Sequence, residues 1–279
     1  MTGPTTTEPT ADRPKAYNSP LPTPRPNLGH ALASEWTKMV SVRSTVWTLG
    51  SLVLLVVGIG LLAVGETSAD DYTNVPVTAP ALFGLLIGQV AVMVLGVLTI
   101  TSEYATGLIR TTFTAAPGRS RVLTAKYLVF GAVAFLAVAG SVSVVVFASF
   151  ILHGDWTGRS SAMEWARALA GCLYVTLLGV LGLAVGAMLR HSAGAIAVML
   201  GLVTVPPVAG GMLTVWEAMA PIGRTILEYN APVALMQMFG LPNNDSPNMP
   251  SAWSQMLLIV LVTGAAMAGS YVLVERRDV

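Results

Sequence analysis

The chain has 279 residues, of which 54% are hydrophobic and 10% charged, with 15 Lys+Arg against 14 Asp+Glu. Soluble domains carry about 25% charge, so this composition, with a mean hydropathy of +0.69, leaves too little polar surface to face water. It reads as a polytopic membrane protein. No basic stripe is present to neutralise nucleic-acid phosphates. A single cysteine, Cys172, excludes an internal disulfide and any thiolate cluster. The histidines His30, His153 and His191 are scattered without carboxylates spaced to share a metal.

In chain order, residues 1–27 hold seven of the 17 prolines and six threonines. That stretch cannot bury apolar surface and is expected to be a disordered cytoplasmic tail. It has no apolar stretch of the kind that marks a signal peptide. Residues 28–279 are expected to form a single membrane domain, with no internal repeat. Over 28–45, Leu32, Trp36, Met39 and Val40, with Trp47 beyond, follow a helical period, while Ser34, Lys38, Ser41 and Thr45 take the other face. This predicts an amphipathic helix lying in the membrane interface, with Lys38 and Arg43 reaching lipid phosphates. The alternative is a cytosolic extension of the first span.

Six uncharged segments follow, at 46–64, 81–101, 127–152, 168–189, 193–215 and 256–274. The shortest is about 28 Å long as a helix, enough to cross the hydrocarbon core. Only Arg190, His191 and Ser192 separate the fourth from the fifth, which predicts a tight hairpin. Twelve Lys and Arg fall on the side of the termini, against Arg159, Arg167 and Arg224 on the other. The positive-inside rule then places both termini in the cytoplasm of a multi-pass plasma-membrane protein. The loop 216–255 is long, and its apolar stretch 231–241 is too short to cross. It is read either as a short helix dipping into the interface or as an ordinary external loop.

Phosphate-loop, zinc-protease and nucleophile-elbow motifs are absent, so the chain is not expected to be an enzyme or to need a cofactor. No charge sits in the core of a span, which counts against a proton-driven transporter. Gly84/Gly88 and Gly182/Gly186 let helix backbones approach closely, most simply within one chain. Gln89 is the most polar side chain inside a span, placed for a contact between helices or along a transport path. Pro206 and Pro207, followed by Gly210 and Gly211, predict a kinked or broken fifth span and a candidate hinge.

The most organised segment is the loop 102–126. Thr101 or Ser102 is expected to cap a short helix running through Phe113. Pro117 and Gly118 turn the chain, and Arg119, Arg121 and Lys126 lead into the third span. Glu103 is placed to pair with a base across a subunit boundary or with Arg110, and Gly107 to permit close backbone approach. The pattern Glu103-Tyr104-x-x-Gly107-x-x-Arg110-x-Thr112, then Pro117-x-Arg119, then Lys126, resembles the cytoplasmic loop of ABC-2 type transporter permeases, in particular actinobacterial export permeases. The approach to the first span, Ala33-Ser34-Glu35-Trp36-Thr37-Lys38 with Arg43-Ser44, is similar to that family's elbow helix. The resemblance covers about residues 28–277. It implies an all-α fold of six transmembrane helices with an interfacial elbow helix and a cytoplasmic coupling helix in the loop after the second span. It further implies an exporter permease that pairs with a second permease, a copy or a paralogue, above two cytosolic ABC ATPase subunits that supply the missing motor. The uncharged interior favours a hydrophobic or amphipathic cargo. The rival reading is a membrane immunity or scaffold protein that transports nothing.

Overall fold

The computed structural model describes residues 27–67, 76–115, 118–153, 161–241 and 251–276. Residues 1–26, Pro117 and Arg277 lie outside them. Ten helices and no strand are found among the described residues: α1 (Leu28–Ser41), α2 (Arg43–Glu66), α3 (Ala79–Ala105), α4 (Leu108–Ala115), α5 (Arg119–His153), α6 (Ala162–Leu189), α7 (Ser192–Leu213), α8 (Ala220–Glu228), α9 (Ala231–Met238) and α10 (Ala252–Arg276). Of these, α2, α3, α5, α6, α7 and α10 are long and apolar enough to cross a membrane. This is an all-α membrane protein, and its described chain starts and finishes at the same end of the bundle.

Helices α3 and α6 form the buried centre, while α2, α7 and α10 turn most of their surface outward. The central contact depends on the absence of side chains. A Cβ on Gly96 would run into the Gly179 carbonyl, and one on Gly182 would stand 2.7 Å from the Met93 carbonyl oxygen. Gly84 and Gly88 lie against Val56 of α2, and Gly186 against Ile100. Both predicted glycine pairs therefore serve packing inside the chain, where close backbone approach raises dispersion contact between helices. Gln89 is buried at 1% exposure and donates to the Leu86 carbonyl of its own helix at 2.9 Å.

Several features differ from the sequence-based expectation, beyond spans α3, α6 and α10 that run a few residues past their uncharged segments. The amphipathic helix stops at Ser41: Val42 is extended (φ −78°, ψ 112°), and α2 begins at Arg43. β-Branched Val42 and flanking serines are weak helix formers, so little opposes the bend. Helix α5 begins at Arg119, about two turns before the uncharged segment. Thr101 and Ser102 lie inside α3, where the Thr101 hydroxyl donates to the Val97 carbonyl, and so cap no loop helix. Helix α7 runs unbroken through Pro206 and Pro207, so of the kink or break expected there the break is not observed. Neighbouring helices and local adjustments tolerate proline in spanning helices.

The hairpin between α6 and α7 is as tight as predicted. Arg190 takes the left-handed conformation (φ 55°) after α6, and His191 accepts from the Gly194 amide to start α7. After α7 the chain folds back as α8, with Gly210 and Gly223 letting the two backbones meet. Helix α9 then buries Ala234, Leu235 and Met238, and Phe239 sits on Gly171 of α6. The described part of the long loop up to Leu241 is thus built on two packed short helices.

Candidate functional site

At the end of the bundle that carries α1, four charged side chains meet. Lys126 of α5 donates to Glu35 Oε2 of α1 at 2.5 Å and to Glu103 Oε1 of α3 at 2.7 Å. Lys38 of α1 donates to Glu35 Oε1 at 2.8 Å and to Glu103 Oε1 at 3.1 Å, and also reaches the Thr112 hydroxyl of α4 at 3.4 Å. Each carboxylate bridges both ammonium groups, so the four close a ring with zero formal charge. Side-chain exposure is 3% for Lys126, 4% for Glu35, 9% for Glu103 and 23% for Lys38. Isolated charges this deep would cost several kcal/mol each, so mutual pairing is the condition of their burial.

The local folding explains how they converge. Leu32, Glu35 and Met39 recur at helical spacing on α1, and this stripe faces the bundle. Glu103 lies two residues before α3 ends. There Gly107 turns the chain at φ 72°, with its amide donating to the Tyr104 carbonyl and that of Thr106 to Ser102. Nothing lies within 4 Å of where a Gly107 Cβ would stand. Within this chain the glycine is therefore needed for its left-handed backbone, and no other segment of the chain uses the space beside it. Lys126 is brought in by the early start of α5.

Opposing effects act on Lys38. Burial lowers its pKa, but the adjoining Glu35 and Glu103 carboxylates outweigh this and hold the ammonium above the usual 10.5. Glu103 keeps a second oxygen, Oε2, that is buried with no hydrogen-bond partner among the described residues. The four charged residues also line a cleft of about 290 Å³, together with Ser44, Thr45, Ser102 and Thr106.

Several predicted site residues change role. Lys38 does not reach outward to lipid phosphates: it is tied inward to both acids. Trp36 and Val40 face out, at 53% and 58% exposure, while Leu32 and Met39 turn inward, so the apolar stripe is divided between two faces. Arg43 is exposed at the first residue of α2. Glu103 pairs with Lys126 and Lys38 and not with Arg110, which is exposed on α4. Lys126 is a buried partner and not a loop base.

The Tyr104 ring lies 5.1 Å from the Arg190 guanidinium carbon, a cation–π contact joining the α3–α4 junction to the α6–α7 turn. Arg119 donates to the Val274 carbonyl at the end of α10 at 3.3 Å, and Arg121 is exposed on the first turn of α5. Glu35 was not singled out from the sequence. The available signal was a carboxylate on the same helical stripe as Leu32 and Met39.

No family model matches the chain, and no curated protein matches it. The geometry itself states what the cluster does mechanically. A displacement of α1 must carry α3 and α5 with it or break the buried ion pairs that Glu35 and Lys38 make with Lys126 and Glu103.

Proposed function

We propose that the chain is the transmembrane permease subunit of an ATP-binding cassette exporter of the ABC-2 type, moving a hydrophobic or amphipathic cargo and driven by separate ATPase subunits. The observation that carries this reading is the charge ring. It links an amphipathic helix and the short helix α4, elements at one membrane face, to two spanning helices. That is the linkage a cytosolic motor needs if its movements are to reach the spans. The exposed face of α4, with Leu108, Arg110, Thr111 and Thr114, is the surface on which the motor would act. In this reading the clustered end is cytoplasmic, both termini are in the cytoplasm of a plasma-membrane protein, α1 is the elbow and α4 the coupling helix. A second permease, copy or paralogue, completes the cargo path. Pro206 and Pro207 remain the candidate hinge.

The test is copurification of the tagged full chain from its native membrane, followed by reconstitution with any chain that carries a phosphate loop. The reading expects such a chain to copurify and its ATP hydrolysis to depend on the permease. It expects the loss of coupling, with insertion intact, on Arg110→Glu. Copurification without any ATPase, from membranes in which a known ABC complex stays assembled, would favour the scaffold alternative.

A further inference from the structure

The strongest feature outside the charge ring is a cavity of about 500 Å³ between the start of α6, the end of α9 and the start of α10. Its volume lies within the range of small-molecule sites, about 300–1,000 Å³. It is far from the ring. Arg167, on its wall, precedes Arg190 by 23 residues of α6, about 35 Å along the helix axis. It therefore sits at the opposite membrane face.

Its walls combine two chemistries. Met163, Met238, Met256 and Trp253 supply apolar, deformable surface, and Trp253 is 77% exposed. Among the described lining residues Arg167 is the single charged side chain. Glu164, one turn earlier on α6, acts electrostatically on Arg167 but is not part of the lining. Gly240, at φ 74°, brings the chain after α9 against this arginine. A Cβ there would stand 3.3 Å from Arg167 Nη1. Among the described residues the guanidinium donates no hydrogen bond, and its one electrostatic partner there is Glu164.

We infer that this cavity binds an anionic phospholipid, with the phosphate head on Arg167 and the acyl chain along the methionines and Trp253. A soluble anion has no use for the apolar wall. The described lining residues hold no carboxylate to seat the cationic part of a zwitterionic head, and Glu164, one turn back on α6, lies outside the lining beside Arg167. The inference does not rest on the transport reading, since a lipid site belongs equally to a permease or a scaffold.

The test uses the purified full chain in detergent, titrated with bromine-labelled phosphatidylglycerol or phosphatidylcholine. Quenching of Trp253 is taken as the difference between wild type and Trp253→Phe. Phosphatidylglycerol should quench at roughly tenfold lower concentration, the size of one charge-assisted contact. Arg167→Gln should abolish that preference. Arg224→Gln, which changes an arginine outside the cavity, should keep it. Ala170→Phe, which fills the cavity from α6, should suppress quenching by both lipids. Monodisperse elution of each variant verifies folding. Equal quenching by the two lipids in wild type, an undiminished preference in Arg167→Gln or an equal loss in Arg224→Gln would overturn the inference. So would undiminished quenching in Ala170→Phe, or full displacement of the lipid by inorganic phosphate alone.

Discussion

Replacing Lys126 by methionine removes the one ammonium that is fully buried and shared by both carboxylates. The volume is nearly kept, so cavity formation adds little. What changes is charge: Glu35 and Glu103, at 4% and 9% side-chain exposure, are left with Lys38 alone. Breaking a buried pair by removing one partner costs about 3–5 kcal/mol, and Lys126→Met should lose stability in that range. Lys38→Met also removes two pairs, but its side chain is 23% exposed and water offsets part of the loss. Its cost should fall between the surface and buried limits, roughly 1–2 kcal/mol. The double change Glu103→Gln with Lys126→Met restores neutrality and leaves the Glu35–Lys38 pair. It should therefore cost less than the sum of its singles by about 1–3 kcal/mol. The assay is unfolding in mixed micelles titrated with denaturing detergent, followed by circular dichroism. If Lys126→Met proves no costlier than Lys38→Met, or if the double change is additive, the closed ring is wrong.

Three further outcomes follow from the same geometry. Gly107→Ala and Gly107→Leu should lose similar stability, about 1–2 kcal/mol, because the left-handed backbone and not the space is limiting, and Gly107→Asn should lose less; thermal midpoints of the three variants check this. Gly96→Ala should disrupt the α3–α6 contact and reduce monodisperse yield sharply, whereas Gly201→Ala, where nothing lies within 4 Å, should be neutral or mildly stabilising. The Lys38 pKa is raised, so on the alkaline side its stabilisation is full below the ordinary 10.5 and is lost as pH climbs through the raised value; from neutral pH upward the stability gap between wild type and Lys38→Met should hold until strong alkali closes it.

The six spans were legible because continuous apolarity is a local signal, and any 20-residue window displays it. The start of α5 was not. Arg119, Arg121 and Lys126 look like loop charges, yet a helix carries all three, and Lys126 is buried because its partner Glu35 lies 91 residues earlier. Periodicity cannot register a partner at that distance. The same limit hid Glu35, whose local companion Lys38 makes an unremarkable i,i+3 pair. Glu103 and Lys126 did stand out, but through their spacing within a family-like loop, and the partner in this chain that the spacing offered Glu103 was Arg110 rather than Lys126. Gly107 was singled out for close approach, whereas what it provides within this chain is a left-handed backbone. A glycine at a helix end and a glycine at a tight crossing look alike in sequence, and only the φ angle separates them.

Helix α1 shows why the division of its faces matters. Its apolar residues are too few to bury two sides, and the stripe predicted as one face is split between them: Met39 and Leu32 turn inward beside Glu35, and Trp36 and Val40 turn outward. A helix held inward only by Leu32 and Met39 would slide, since apolar contact is non-directional. The ion pairs add direction, because hydrogen-bond geometry restricts where each ammonium can sit. Neutrality of the ring allows it to be buried, and its four-way sharing means that no single helix can leave alone. The exposed Trp36 face stays available to the interface, where an aromatic ring is favoured. In the proposed reading, where the outer face of α1 rests on the membrane, an element anchored by charge on one side and by apolar contact on the other would transmit displacement along the membrane plane. A helix embedded by hydrophobicity alone would yield to the same displacement.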